Sequence, residues 1–129
     1  MCGIAGVIGE NTRNKETIIK EMVDCIAHRG PDDDGFYNDD KVGLGMRRLS
    51  IIDLKSGKQP IKSKDDSALI FFNGEIYNYK ELRKELLDKG CEFKTDTDTE
   101  VILRLYEEEG SKMIGKLRGM FAFCIYDKK

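Results

Sequence analysis

The strongest constraint on the fold lies in the first nine residues, where a short apolar run, Gly3 to Gly9, follows a cysteine set directly behind Met1. An apolar run of that length between glycines suits a buried strand, so Cys2 sits at the outer end of a rigid element. Removal of Met1 would make Cys2 the N-terminus and join a nucleophile and a base in one residue. A thiol with a reference pKa of ~8.5 beside an α-amino group of ~8 can pass its proton to that amine near neutral pH. This is the single-residue form of the nucleophile and base used in covalent acyl transfer. A Met-Cys start alone also fits an incidental thiol, so the remaining chain has to decide.

Beyond that run the apolar residues keep changing period. Ile18, Ile19, Met22, Val23 and Ile26 recur at helical spacing between Asn14 and Ala27, with Lys15, Glu16, Lys20, Glu21 and Asp24 on the other side. Gly30 and Pro31 end that helix. Phe36-Tyr37 and Val42 to Met46 read as two strands around the turn at 38 to 41. Residues 68 to 72, Ala-Leu-Ile-Phe-Phe, form the most strand-like stretch and end at Asn73-Gly74. A helix over 79 to 89 carries Leu82, Leu86 and Leu87 on one face, with Gly90 as terminator. A second, over 99 to 109, turns Val101, Ile102, Leu105 and Tyr106 inward, is capped by Thr97 or Asp98 and ends at Gly110. Met120 to Tyr126 is a final strand. The mixture is α+β, and 129 residues give room for one domain with a core of its own.

Several suggestive stretches carry no chemistry. The Pro31-Asp32-Asp33-Asp34-Gly35 run lacks the spaced acids and later glutamate of a calcium loop and reads as a polar turn. Gly43 and Gly45 are not a dinucleotide fingerprint, because Arg48 stands at the third glycine position. Gly57-Lys58 is followed by Gln59, where a phosphate loop needs Ser or Thr. Cys2, Cys25, Cys91 and Cys124 form no CxxC pair, and the single His28 offers no zinc-ligand spacing, so no metal is expected. Cys25, Cys91 and Cys124 lie in apolar patterns and read as reduced core thiols. With 22 basic and 24 acidic residues the chain lacks the basic field that nucleic acid or an anionic membrane attracts. No secretory leader precedes Cys2 and no apolar run approaches the ~20 residues of a membrane span. A soluble, cytoplasmic protein with a small-molecule substrate is the expectation.

Taken together, the opening MCGIAGVIG resembles that of the class II glutamine amidotransferases, N-terminal-nucleophile hydrolases. HRGPDDDG (28 to 35), MRRLSIID (46 to 53), GKQP (57 to 60), NGEIYN (73 to 78), TDTDTEVI (95 to 102) and GMFAFCIYD (119 to 127) resemble the glutaminase domain of glutamine-hydrolysing asparagine synthetases. They occur in that family's order, and six ordered matches are a far stronger signal than any one. The resemblance implies stacked antiparallel sheets between helical layers, an architecture that periodicity alone does not supply. It also implies that Cys2 attacks the side-chain amide of L-glutamine to form a thioester, with glutamate and ammonia released.

By the same resemblance the Asn73 side-chain amide and the Gly74 backbone N–H stabilise the oxyanion. Asn-Gly behind an apolar strand is also a frequent hairpin signature, although Glu75 to Asn78 leads toward a helix. The resemblance assigns Arg48 to the glutamine α-carboxylate, a grip that suits a guanidinium's paired donors. Adjacent Arg47 competes for that role on chemistry alone. Asp98 would take the α-ammonium, or else cap its helix. Leu49, Ser50, Ile51 and Ile52, together with Gly74 and Glu75, would line the pocket. His28, Arg29 and Asp32 are read as solvated or loop-bracing residues.

No cofactor is expected for the glutaminase step. ATP and Mg belong to a synthetase domain that such glutaminase domains serve and that is expected to lie outside these 129 residues; the family's glutaminase domains continue past the last strand, so the resemblance implies an incomplete sheet and, through its open edge, a homo-oligomer. The partners implied are glutamine and a synthetase domain or other acceptor enzyme. An ammonia donor for a different acceptor, and a non-catalytic module kept for assembly, stay open as alternatives. The latter would be favoured by loss of Cys2, Arg48, Asn73, Gly74 or Asp98, and all five are present.

Overall fold

Alternation along one strand decides the layering. In the computed structural model, which describes residues 2–9, 14–49 and 58–129, that strand runs over Ala68–Ile76 (β5 in chain order). Its even residues Ala68, Ile70, Phe72 and Ile76 and its odd residues Leu69 and Phe71 are all buried. The even face packs on the helices Tyr79–Asp88 (α2) and Asp98–Glu109 (α3) through Leu82, Leu86, Val101, Ile102 and Leu105. The odd face packs on Val42, Leu44 and Met46 of Val42–Arg48 (β3). A strand buried on both faces requires a layer on each side.

Gly3–Ile8 (β1), β3 and Asp33–Asn38 (β2) make one antiparallel sheet in the order β1-β3-β2. Ile61–Lys62 (β4), β5 and Gly119–Asp127 (β6) make the other, in the order β4-β5-β6. The helix Lys15–Cys25 (α1) covers the outer face of the first sheet with Ile19 and Val23. Its approach depends on Gly45, where a Cβ would stand 2.6 Å from Val23 Cγ2. The layers therefore run helix, sheet, sheet, helices: the expected α+β stack. Each fully buried large apolar side chain contributes about 1.5–3 kcal/mol. Among the described residues the cluster under α2 and α3 holds ten such side chains and the one between the sheets five.

Several sequence expectations need correction. The Asp33-Asp34-Gly35 segment is not a turn but the start of β2, where Asp34 lies opposite Arg47 and pairs with it at 3.6 Å. Cross-strand opposite charges stabilise such a pairing. The 68 to 72 strand does not end at Asn73-Gly74; it continues to Ile76, paired in unbroken register with β6. β4, inside a stretch read as loop, is two residues long, too short for any period to show. Met22 and Leu87 are 38% and 50% exposed and Cys25 is exposed, because each lies off its helix's narrow buried stripe. Lys15 is buried, four residues before Ile19 on the same stripe, with its ammonium donating to the carbonyls of Gly9 and Asp40. Among the described residues no helix is long and apolar enough to cross a membrane.

Candidate active site

Strand β1 delivers Cys2 to the layer between the sheets, half-buried and packed on the cluster that includes Leu69 and Phe71. Its Sγ accepts the Leu49 N–H at 3.3 Å and lies 3.7 Å from the Leu49 carbonyl oxygen. Arg29, from the short 3-10 turn Ala27–Arg29, donates its Nε–H to the Cys2 carbonyl at 3.1 Å. Its bracing role thus has a definite object, the main chain of the thiol residue.

Strand parity separates the two arginines. Val42, Leu44, Met46 and Arg48 share the inner face of β3, and Arg48 is only 6% exposed. Arg47 points the other way, donating to Asp24 at 3.0 Å and to the Val23 carbonyl at 3.4 Å. The β1–β3 register pairs Gly3 with Arg47, which brings Arg48 opposite Cys2. Directly opposed residues carry Cβ atoms about 4.5–5.5 Å apart. Leu49 follows at once, whereas Ser50, Ile51 and Ile52 lie outside the described residues.

On β5, Asn73 follows Leu69 and Phe71 on the odd face, so its side chain enters the layer that holds Cys2 and Arg48. Its Oδ1 is buried and has no hydrogen-bond partner among the described residues. Such an oxygen costs about 1–3 kcal/mol if left unmatched and calls for an explanation.

Gly74 is distinguished by the direction of its N–H. Beyond the two ends of β5, Ser67 accepts from Lys128 N at 2.8 Å and Tyr77 donates to Arg118 O at 2.7 Å. Hydrogen-bonded pairs alternate along an antiparallel ladder, so odd residues of β5 bond to β6 and even ones turn their N–H groups to the opposite edge. On that edge Phe72 N donates to Gln59 Oε1 at 2.6 Å, and Ile76 N donates to Asp98 Oδ2 at 3.0 Å. Between them the Gly74 N–H meets no acceptor among the described residues. The backbone here has φ +139°, and a Cβ would stand 2.1 Å from the Met120 carbonyl oxygen, so only glycine fits.

Asp98 opens α3 without capping it. Thr97 is the N-cap, its Oγ1 accepting the Glu100 N–H at 3.2 Å, which leaves the Asp98 carboxylate to the β5 edge. Asp98 is 5% exposed. Burial pushes its carboxyl above the ordinary carboxylate range, against N–H donors from Ile76, Thr99 and its own backbone, with the nearby Glu75 charge pushing the same way. A cation arriving at this carboxylate would relieve that penalty. Glu75 itself is exposed.

The site therefore offers a thiol held by a donor, a half-buried amide whose oxygen has no partner among the described residues, an open N–H, a buried carboxylate and a buried guanidinium. Of the residues singled out from sequence, Cys2, Arg48 and Leu49 adjoin one another, while Asn73, Gly74 and Asp98 follow the rim of β5. Gln59 was noted from sequence only within the Gly57-Lys58-Gln59-Pro60 motif, and its place on that rim depends on a contact across the fold.

Comparison with known proteins gives the family. A family model described as a glutamine amidotransferase domain matches residues 1–129. The chain is 52% identical over 132 residues to asparagine synthetase [glutamine-hydrolyzing] 1 of Bacillus subtilis, covering 99% of this chain and 21% of that protein. It is 42% identical to asparagine synthetase B [glutamine-hydrolyzing] of Escherichia coli, over 100% of this chain and 24% of that one. The chain thus spans less than a quarter of the length of these relatives. Among solved structures, glutamine phosphoribosylpyrophosphate amidotransferase of B. subtilis superposes with a TM-score of 0.55 at 23% identity, over 67% of this chain and 21% of that one. That likeness concerns the fold.

Proposed function

Since the chain belongs to the glutamine amidotransferase domain family, we propose that it hydrolyses the side-chain amide of glutamine through a thioester on Cys2. The ammonia would serve asparagine synthesis from aspartate and ATP, carried out by a synthetase domain outside this chain. One observation carries the reading: the Asn73 amide, its oxygen without a partner among the described residues, enters the thiol layer from β5, and the adjacent Gly74 N–H stands open on the edge of the same strand. A side-chain amide and an open backbone N–H beside a nucleophile are what a developing oxyanion requires.

In the proposed sequence, removal of Met1 frees the Cys2 amine, which takes the thiol proton. The thiolate attacks the glutamine carboxamide carbon, and the Asn73 Nδ2–H and Gly74 N–H hold the oxyanion. Collapse breaks the C–N bond, the Cys2 ammonium returns its proton to the leaving nitrogen, and ammonia departs from a thioester. Water, deprotonated by the same amine, then cleaves the thioester to glutamate and restores the thiol. Arg48 binds the substrate α-carboxylate and Asp98 its α-ammonium, so the zwitterionic end is held at two points and the amide is aimed at sulfur. The substrate ammonium also answers the buried charge of Asp98.

Intact and peptide mass spectrometry after incubation with an electrophilic glutamine analogue tests the reading. The expected result is loss of Met1 and one adduct confined to Cys2, blocked by excess glutamine. A Cys2 that is free at its amine yet stays unlabelled would overturn it.

A further inference from the structure

We infer that Gln59 is a positioning residue for the oxyanion donors, its side-chain amide standing in for a missing strand residue beside Phe72. β4 pairs Ile61 with Ile70 and Lys62 with Leu69, and Ser63 N donates to Ala68 O at 2.8 Å. Extending that register by one hydrogen-bonded step sets Gln59 opposite Phe72. There the main chain does not make the pair. The side chain does: Phe72 N donates to Gln59 Oε1 at 2.6 Å, and Gln59 Nε2 donates to the Phe72 carbonyl at 3.2 Å. The Phe72 N–H can only donate, which fixes the orientation of the amide.

Three parts of the site meet at this residue. The main-chain carbonyl of Gln59 lies against β2, so close to Gly35 that a Cβ there would stand 2.0 Å from it. Its side chain holds β5 one residue before Asn73. Nε2 is also 3.5 Å from Thr99 Oγ1, next to Asp98. Gln59 thereby ties the sheet that carries Cys2 and Arg48 to the strand that carries Asn73 and Gly74, and touches the helix that carries Asp98. Closing the Phe72 position also makes Gly74 the next free donor along the rim.

The bonding needs a group that accepts and donates side by side, which a primary carboxamide does. A carboxylate would accept from Phe72 N–H but repel its carbonyl, and a methionine would fill the volume while making neither bond. Small misplacements of catalytic donors are expensive in rate.

This inference rests on the glutamine-hydrolysis reading, and the experiment separates the two. In the full chain, Gln59→Glu and Gln59→Met are compared with the unmodified protein for glutamine kcat and KM, and for the rate at which iodoacetamide alkylates Cys2, a reaction that needs no oxyanion donor. We expect kcat to fall about 10- to 100-fold with KM changed less than about threefold, and alkylation to keep its rate. A protonated carboxyl regains a donor, so the kcat of Gln59→Glu relative to the unmodified chain should recover as pH falls toward the ordinary glutamate range near ~4.3. Folded variants that keep kcat within about threefold would overturn the inference alone. So would kcat and alkylation falling together with no recovery at low pH, which marks a residue that merely holds the fold. An unmodified, processed chain that does not hydrolyse glutamine would overturn the glutaminase reading and this inference with it.

Discussion

Replacing Asn73 with alanine should separate activity from stability in opposite directions. The side chain brings one donor to the proposed oxyanion, and loss of such a donor typically raises the barrier by about 3 kcal/mol, or 10²–10³ in kcat. The same side chain carries a buried Oδ1 with no partner among the described residues. Removing an unmatched buried acceptor returns about 1–3 kcal/mol to the folded state. Against that stands the packing lost around a half-buried side chain on the odd face of β5, which at about 25 cal/mol per Å² comes to about 1 kcal/mol. The net should lie between zero and about +2 kcal/mol, a melting temperature unchanged or several degrees higher for a domain of this size. Steady-state release of glutamate gives kcat, and calorimetry in the absence of glutamine gives the midpoint. The reasoning fails if Asn73→Ala keeps its kcat while its midpoint drops by several degrees, for the amide would then be a brace of the fold.

Four further substitutions probe the remaining contacts. Arg48→Lys should raise KM for glutamine at least about tenfold by losing the paired donors. Arg47→Lys should leave it unchanged, since the exposed partners Asp24 and Asp34 make that bridge worth under about 1 kcal/mol; parallel kinetics decide between the two arginines. Asp98→Asn keeps an acceptor for the Ile76 N–H but no charge for an ammonium, so KM should rise sharply. In the native chain the folded carboxyl titrates above its unfolded value, so its stabilising share is full below the unfolded value and is lost as pH rises through the folded one. Denaturation across that window should show the slope in the native chain and not in Asp98→Asn. Gly74→Ala must accommodate both φ +139° and a 2.1 Å contact with Met120 O. It should lose at least about 1–3 kcal/mol of stability together with its activity, read by the same two assays.

What the sequence made legible follows from how local each signal is. α3 was readable because its apolar spacing, the Thr97 cap and the terminal Gly110 all lie within one stretch of chain. The identity of the inward arginine was also readable, had the alternation of Val42, Leu44 and Met46 been carried two residues further to Arg48. The end of β5 was not. Asn-Gly ordinarily marks a turn, and the strand continues here only because glycine permits the close approach of Met120 across the sheet. Asp34 reads as part of a polar turn because its counter-charge on Arg47 is brought by a different strand. Gln59 lies beyond local reasoning for the same cause, its partners being thirteen and forty positions away. Resemblance, by contrast, named the Cys2 and Asn73 neighbourhood without any geometry.

The parity of β5 also limits how this chain can vary. Side chains can be exchanged along the strand while every backbone group keeps its direction, so point substitutions sample the pocket gradually. A single residue inserted between Phe72 and Asn73 is a different kind of change: it would hand the Gly74 N–H to the ladder with β6 and turn the Asn73 amide toward the helices. The sheet could close again around the extra residue, yet both donors would then address the wrong space. In length this strand is digital, and the chemistry of the pocket depends on an even or odd count.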